Sequence, residues 1–127
     1  MVCRLASVVG CIACLRAVAV AEPAFQKLSA RDVAARFGGM AFTDGVHWSL
    51  IFGRGGRLTS VQSGGRFTAH EANPQFGNWQ VRGDQLCFGI GDQSRCHEVW
   101  VSGASVQLRA VDAAVVDGVL RKPSLSR

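Results

Sequence analysis

Hydrophobic and polar residues follow two different periods along this chain. From Leu28 to Gly39 the sequence LSARDVAARFGG spaces its apolar residues three to five positions apart, which predicts one short amphipathic helix. Ser29 suits the N-cap position, and Asp32 completes a capping-box-like pattern. The two glycines that follow Phe37 end the helix.

After the helix, apolar and polar residues alternate, which is typical of β-strands. In the first such segment, Val46–Phe52, one face carries Trp48, Leu50 and Phe52. Turns rich in glycine and aspartate separate further short strands, with Asp44, Asp84 and Asp92 interpreted as turn residues. These strands are predicted at Arg57–Val61, Arg66–His70, Asn78–Arg82, Gln85–Ile90, Arg95–Val101 and Ser105–Val111.

Strands of this length and spacing predict a mainly β fold. We expect a small antiparallel barrel or sandwich of about six to eight strands, with one short N-terminal helix. Residues Glu71–Phe76 are predicted as a loop. The alternation fades after residue 111, so residues 112–127 are predicted as an edge strand or tail, and residues 28–111 as a single β domain.

The first residues have the pattern of a secretory signal peptide. Arg4 precedes the apolar run Leu5–Leu15, which is too short to span a bilayer. Residues 19–21 fit a cleavage motif, so we expect cleavage between Ala21 and Glu22, with residues 1–21 as the signal peptide and 22–27 as an N-terminal arm. A lipid anchor at Cys11 is the alternative, because the residues before it loosely resemble a lipoprotein cleavage motif.

Cleavage of residues 1–21 changes the charge of the chain. Arg4 and Arg16 leave, and the formal charge falls from +5 to about +3. So mild a charge, without a nucleic-acid-binding motif, excludes a dedicated nucleic-acid binder. The mature chain has no predicted transmembrane segment, and we expect it in the periplasm or the medium.

Two cysteines, Cys87 and Cys96, remain in the mature chain. Gly91-Asp92 between them suits a two-residue hairpin loop, which would place the cysteines directly opposite each other. In an oxidising compartment we expect a structural disulfide. His97 follows Cys96, but consecutive residues of a strand point to opposite faces, so the two cannot form a Cys–His dyad.

Other chemistry is sparse in the sequence. The chain has no HExxH, GxSxG or P-loop pattern, so we predict no enzyme, no catalytic residues, no bound metal and no cofactor. A small-ligand, haem or metal carrier remains an alternative if three scattered histidines converge, His47, His70 and His97. A possible anion-binding rim for a polysaccharide or lipid head group comprises Arg54, Arg57 and Arg66.

Four segments together resemble a family of small exported proteins of alphaproteobacteria. They are LSARDVAARFGG, HWSLIFGRGGRL, GNWQVRGDQLCF and RCHEVWVSG, which span about residues 28–111. The most specific motif is G-x-W-x-V-x-G-D-x-L-C with a closing cysteine, whereas Gly53–Gly56 replaces the more usual acidic turn. The family has no assigned activity, so the resemblance implies export, a β fold and a disulfide, and it supplies no catalytic residue.

A weaker similarity, with different cysteine spacing, connects the chain to periplasmic inhibitors of bacterial metalloproteases. Those proteins are small disulfide-bearing β-barrels with a G-x-W motif, whose N-terminal arm enters the protease. Here the arm would be Glu22–Lys27. The sequence therefore favours an exported, non-enzymatic binding protein of the cell envelope, with an envelope protein or polysaccharide as partner and protease inhibition as the alternative.

Overall fold

The computed structural model describes residues 24–62 and 74–123. Within these ranges the elements are β1 (Gln26–Lys27), α1 (Ala30–Phe37), β2 (Met40–Thr43), β3 (Trp48–Phe52), β4 (Arg57–Gln62), β5 (Gln75–Arg82), β6 (Gln85–Ile90), β7 (Arg95–Ser102), β8 (Ser105–Arg109) and β9 (Val116–Arg121). None of the helical residues in these ranges forms a segment long and apolar enough to cross a bilayer.

Strands β2 to β9 form a closed, eight-stranded antiparallel barrel. Each strand pairs with the next, and β9 closes the barrel by pairing with β2, where Phe42 lies opposite Leu120. The connections therefore alternate between two ends. The helix end has α1 and the β3–β4, β5–β6 and β7–β8 turns, and the far end has the β2–β3, β6–β7 and β8–β9 connections. The mainly β barrel with one short helix confirms the predicted fold class.

Aromatic side chains pack the interior of the barrel around Phe52. Its ring lies 5.1 Å from that of Phe37 and 5.6 Å from those of Trp79 and Phe88, all three at nearly perpendicular angles. Such edge-to-face pairs each contribute about 0.5–1.5 kcal/mol beyond their buried area. Phe37 comes from α1, so the helix packs into one end of the barrel. The remaining buried core residues are Leu28, Val33, Phe42, Leu58, Leu86, Val99, Val101, Val106 and Leu108.

The helix begins where the sequence predicts, but its cap is different. Ser29 has the extended backbone of an N-cap residue, yet its hydroxyl donates to Asp32 Oδ2 at 3.2 Å and makes no capping bond. The backbone N–H of Ala30 donates instead to Asp84 Oδ1 in the β5–β6 turn, at 2.8 Å. Because the first N–H groups of a helix lack partners within it, Asp84 fills the role predicted for Ser29.

Several strand bounds differ from the prediction. Strand β2 was not predicted, because three of its four residues are buried and the strand shows no polar alternation. Strand β5 begins at Gln75, inside the predicted loop Glu71–Phe76. Strand β6 has the predicted bounds, and the Trp48, Leu50 and Phe52 side chains share the inner face as expected. The predicted strand Arg66–His70 lies outside the described residues.

The predicted edge strand at the C-terminus is paired on both sides. Strand β9 lies between β2 and β8, with Val119 opposite Thr43 on one side and Ser105 on the other. Its apolar residues Val116 and Leu120 pack against the core. This segment is therefore part of the barrel and not an appendage to it.

The described part of the predicted N-terminal arm is bound to the barrel. Strand β1 pairs with β7, and the N–H of Leu28 donates to Val99 O at 2.8 Å. The Arg109 guanidinium lies 4.3 Å from the Trp100 ring and 5.8 Å from the Phe25 ring, which holds the segment from outside. An arm that enters another protein would therefore require this segment to separate from β7.

Candidate functional site

Cys87 and Cys96 form a disulfide across strands β6 and β7. They lie directly opposite each other, with an S–S distance of 2.01 Å. Gly91 has a φ of 62°, as the predicted tight turn requires, and Gln93 N–H donates to Ile90 O at 3.3 Å. The cysteine pair and its register are therefore confirmed, and the bridge lies on the outer face of the barrel.

His97 lies on the opposite face from Cys96, inside the barrel. Its side chain is 7% exposed, and its ring stacks on Phe88 at 4.9 Å. Burial lowers the pKa of His97 below its ordinary value and Arg95 lowers it further, while hydrogen bonds with the Leu86 and Arg95 backbone act in the opposite direction. The His97 ring therefore lies in an environment that disfavours its charged form, on the other face of β7 from the disulfide.

The histidines predicted as a possible cofactor site do not share one location. His47 lies in the exposed β2–β3 loop, His97 lies in the interior, and His70 lies outside the described residues. Across residues 24–62 and 74–123, no group of three or more His, Cys, Asp or Glu side chains is arranged to hold a metal ion. The carrier alternative gains no support from the described histidines.

Asp44 organises the β2–β3 loop. Its Oδ1 accepts backbone N–H groups at 2.9, 2.7 and 3.1 Å from Val46, His47 and Trp48, and its Oδ2 lies 2.9 Å from His47 Nδ1. Desolvation acts to raise the pKa of Asp44, but these N–H groups and the His47 ring together lower it well below its ordinary value. The carboxylate is an ionised loop cap, consistent with the turn role that the sequence indicates for Asp44.

Two arginines of the predicted anion-binding rim lie at the helix end, and both are exposed. The Arg54 side chain lies against Gly39, just beyond the C-terminus of α1. Arg57 begins β4 and is paired with Asn78 of β5. Arg66 lies outside the described residues. Arg54 and Arg57 therefore have different surroundings. Arg57 is the one whose strand neighbour, Asn78, lines a concave surface.

This concave surface is a groove on the outer face of the barrel, beside the disulfide. Its volume is about 420 Å³, and its lining includes Cys87. One wall is the β3–β4 turn with Gly55 and Gly56, and the other is the β6–β7 hairpin with Gly89 and Gly91. No sequence pattern signals this groove, because its walls come from distant parts of the chain.

Glycine is required at some of these positions and not at others. A Cβ atom on Gly89 would lie 1.4 Å from Gln93 O, and Gly56 has a φ of 87°. Neither position accepts a side chain without a shift of the backbone. Gly55, by contrast, has no atom within 4 Å of an added Cβ and has no positive φ. Gly55, which lines the groove, would therefore accept a side chain without strain.

Trp79, from the G-x-W motif, fixes one wall of the groove. Its indole Nε1 donates to Gly53 O at 2.7 Å, and its backbone N–H donates to Gly56 O at 2.9 Å. The ring also packs on Phe52 in the core. The β3–β4 turn is thereby attached to β5, so the shape of the groove is set by the barrel.

The chemistry of the groove is polar. Asn78, Gln80 and Ser94 line it together with glycine backbone, and Arg57 stands next to Asn78 in the strand register. Carboxamides and hydroxyls both donate and accept hydrogen bonds, whereas the guanidinium only donates. This set matches a hydroxyl-rich ligand that carries an anionic group.

The chain matches no protein-family model, no curated protein and no solved structure. The resemblance to exported alphaproteobacterial proteins, and the weaker one to metalloprotease inhibitors, therefore stay predictions.

Proposed function

We propose that this chain is an exported, non-enzymatic binding protein of the cell envelope that holds an acidic oligosaccharide segment in the groove. The observation that carries this proposal is the polar groove of about 420 Å³, whose lining residue Asn78 lies opposite Arg57 in the strand register. A volume of this size lies within the range of small-ligand sites in proteins, about 300–1,000 Å³.

The groove offers complementary groups for a sugar acid. Sugar hydroxyls would exchange hydrogen bonds with the carboxamides of Asn78 and Gln80, since each amide has both a donor and an acceptor. A uronic acid carboxylate would pair with Arg57, whose planar guanidinium suits two parallel hydrogen bonds. A neutral sugar would make the hydrogen bonds with the carboxamides but would lack the ion pair with Arg57.

Contacts within the barrel hold both walls of the groove in place. The disulfide fixes the β6–β7 hairpin, and the two hydrogen bonds of Trp79 fix the β3–β4 turn. A preformed site avoids part of the entropy cost of ordering loops on binding. The disulfide, predicted as a stabilising bridge, thus also supports one wall of the proposed site.

Calorimetric titration of the mature protein, residues 22–127, with a tetramer of uronic acids and with maltotetraose tests the proposal. We expect the acidic tetramer to bind more tightly than the neutral one. Arg57→Gln should weaken the acidic tetramer about tenfold or more, as expected for loss of a charge-assisted hydrogen bond. Gly55→Phe should abolish binding of both tetramers.

The matched control is Ala104→Phe, which places the same side chain in the exposed β7–β8 turn, outside the groove lining. It should bind both tetramers as the parent protein does. Absence of binding by the parent up to millimolar ligand would contradict the proposal. Equal affinities of the parent protein and Gly55→Phe would contradict it as well.

A further inference from the structure

The helix end of the barrel is strongly basic. Exposed basic side chains surround it on α1, at the β3–β4 turn and at the ends of β5 and β9: Arg31, Arg36, Arg54, Arg57, Arg82, Arg121 and Lys122. The acidic residues described at this end are Asp32 and Asp84, and both accept hydrogen bonds from the start of the helix. The seven basic residues outnumber these two acidic ones, so the described part of this end carries a net positive charge.

The two ends of the barrel differ in charge. The far end has Asp44, Asp92 and Asp112, and Arg95 is the basic residue described there. Opposite charges at opposite ends orient a protein in front of a charged surface. In this molecule an anionic surface would attract the helix end and repel the described acidic residues of the far end.

Both ends of the described chain also leave the barrel at the helix end. Strand β1 runs antiparallel to β7, so residue 24 lies towards the β7–β8 turn. Strand β9 ends opposite Ala41, near the start of β2, and Lys122 follows it. A chain that carried a lipid on Cys11, the alternative to cleavage after Ala21, would enter the barrel from the basic side.

We propose that the helix end is a docking surface for an anionic phospholipid bilayer, so that the far end faces away from the membrane. A bilayer suits this surface because the charges spread over a whole end of the barrel and coincide with the points where the chain leaves it. This proposal does not depend on ligand binding in the groove, which lies on the side of the barrel.

Vesicle co-sedimentation of the mature protein tests the docking surface. The vesicles contain either phosphatidylcholine alone or phosphatidylcholine with about one third phosphatidylglycerol, at low salt. We expect binding to the anionic vesicles alone, with loss at high salt because the interaction is screened. Each basic residue near an anionic surface strengthens binding roughly fivefold, so the triple variant Arg31→Gln, Arg36→Gln, Lys122→Gln should bind about 100-fold more weakly.

A second triple variant has the same net charge and leaves the basic end intact. It carries Gln62→Glu, Gln75→Glu and Gln93→Glu, three exposed residues at the far ends of their strands or in the β6–β7 connection. It should retain most of the binding to anionic vesicles. Equal losses in the two triple variants would show a net-charge effect and overturn the docking surface. Equal binding to both vesicle types, or binding to soluble polyuronate with none to anionic vesicles, would overturn it too.

Discussion

The carboxylate of Asp84 caps a helix that begins 54 positions earlier in the chain. Its Oδ1 accepts the backbone N–H of Ala30 at 2.8 Å, which connects the β5–β6 turn to the first residue of α1. The buried side chains of Val33 and Phe37 hold the same helix against the barrel. The capping hydrogen bond and the buried side chains together fix the position of α1 at its end of the barrel.

Replacement of Asp84 by alanine should lower the stability of the domain. Loss of a helix cap costs about 1 kcal/mol, which corresponds to a melting temperature lower by about 4–8 °C in a domain of this size. Thermal unfolding followed by circular dichroism measures the change. Asp92→Ala, in the exposed β6–β7 turn, is the control and should melt close to the parent protein. Equal shifts in the two variants would refute the capping role.

Removal of the disulfide should lower stability more. Replacement of both Cys87 and Cys96 by serine releases a loop of about ten residues, for which the chain-entropy model gives roughly 2–3 kcal/mol. The melting temperature should fall by about 8–20 °C. The oxidised parent should contain no titratable thiol among residues 22–127. A double variant that melts normally but no longer binds its ligand would reassign the bridge from stability to function.

Stability should decrease as the medium becomes acidic, because of His97. Its pKa is lowered in the folded protein, so the unfolded chain binds more protons once the pH falls below about 6.5. The contribution of His97 to the free energy of unfolding has its full value at neutral pH. It decreases as the pH falls from about 6.5 to the lower pKa of the folded state. The slope cannot exceed about 1.4 kcal/mol per pH unit for one histidine.

Urea unfolding at pH 7.5 and 5.0 measures this dependence. His97→Leu should reduce the stability difference between the two pH values. His47→Gln, in the exposed β2–β3 loop, is the control and should leave the difference largely unchanged, because this side chain is exposed to solvent. A difference that persists undiminished in His97→Leu would exclude the buried histidine as its source.

The two groove glycines Gly55 and Gly89 should differ sharply in their tolerance of alanine. Gly89→Ala would place Cβ 1.4 Å from Gln93 O, so the hairpin must shift, and we expect a loss of several kcal/mol or failure to fold. Gly55→Ala meets open space and should change stability by less than about 0.5 kcal/mol. Denaturant midpoints of the two variants provide the comparison. Similar midpoints would mean that the hairpin does not approach Gly89 as described.

Sequence patterns correctly predict those elements that depend on residues close together in the chain. The Gly91-Asp92 turn and strand alternation were enough to place Cys87 opposite Cys96, since turn type and register are linked within ten residues. Strand β2 escaped prediction because Ala41 and Phe42 are buried on opposite faces and its polar residue, Thr43, is buried as well, so no exposed polar residue marks the period.

Long-range contacts explain the remaining differences. The cap from Asp84 and the closure of the barrel by β9 depend on residues that only the folded chain brings together. The groove is a further case, because Gly55 and Gly89 have no sequence signal beyond their glycine identity. The candidate site consists of glycine backbone and polar side chains, with Arg57 beside them in the strand register. These residue types form no motif that a sequence pattern could reveal.

The most direct test of groove binding is a nitrogen-15 NMR titration of the mature protein with the uronic acid tetramer. We expect the largest shifts in the groove, in the backbone amides of Gly55, Gly56 and Gly89 and in the backbone and side-chain amides of Asn78 and Gln80, and we expect Gly55→Phe to remove them. Shifts that cluster instead at the basic helix end, or no shifts up to millimolar ligand, would contradict groove binding.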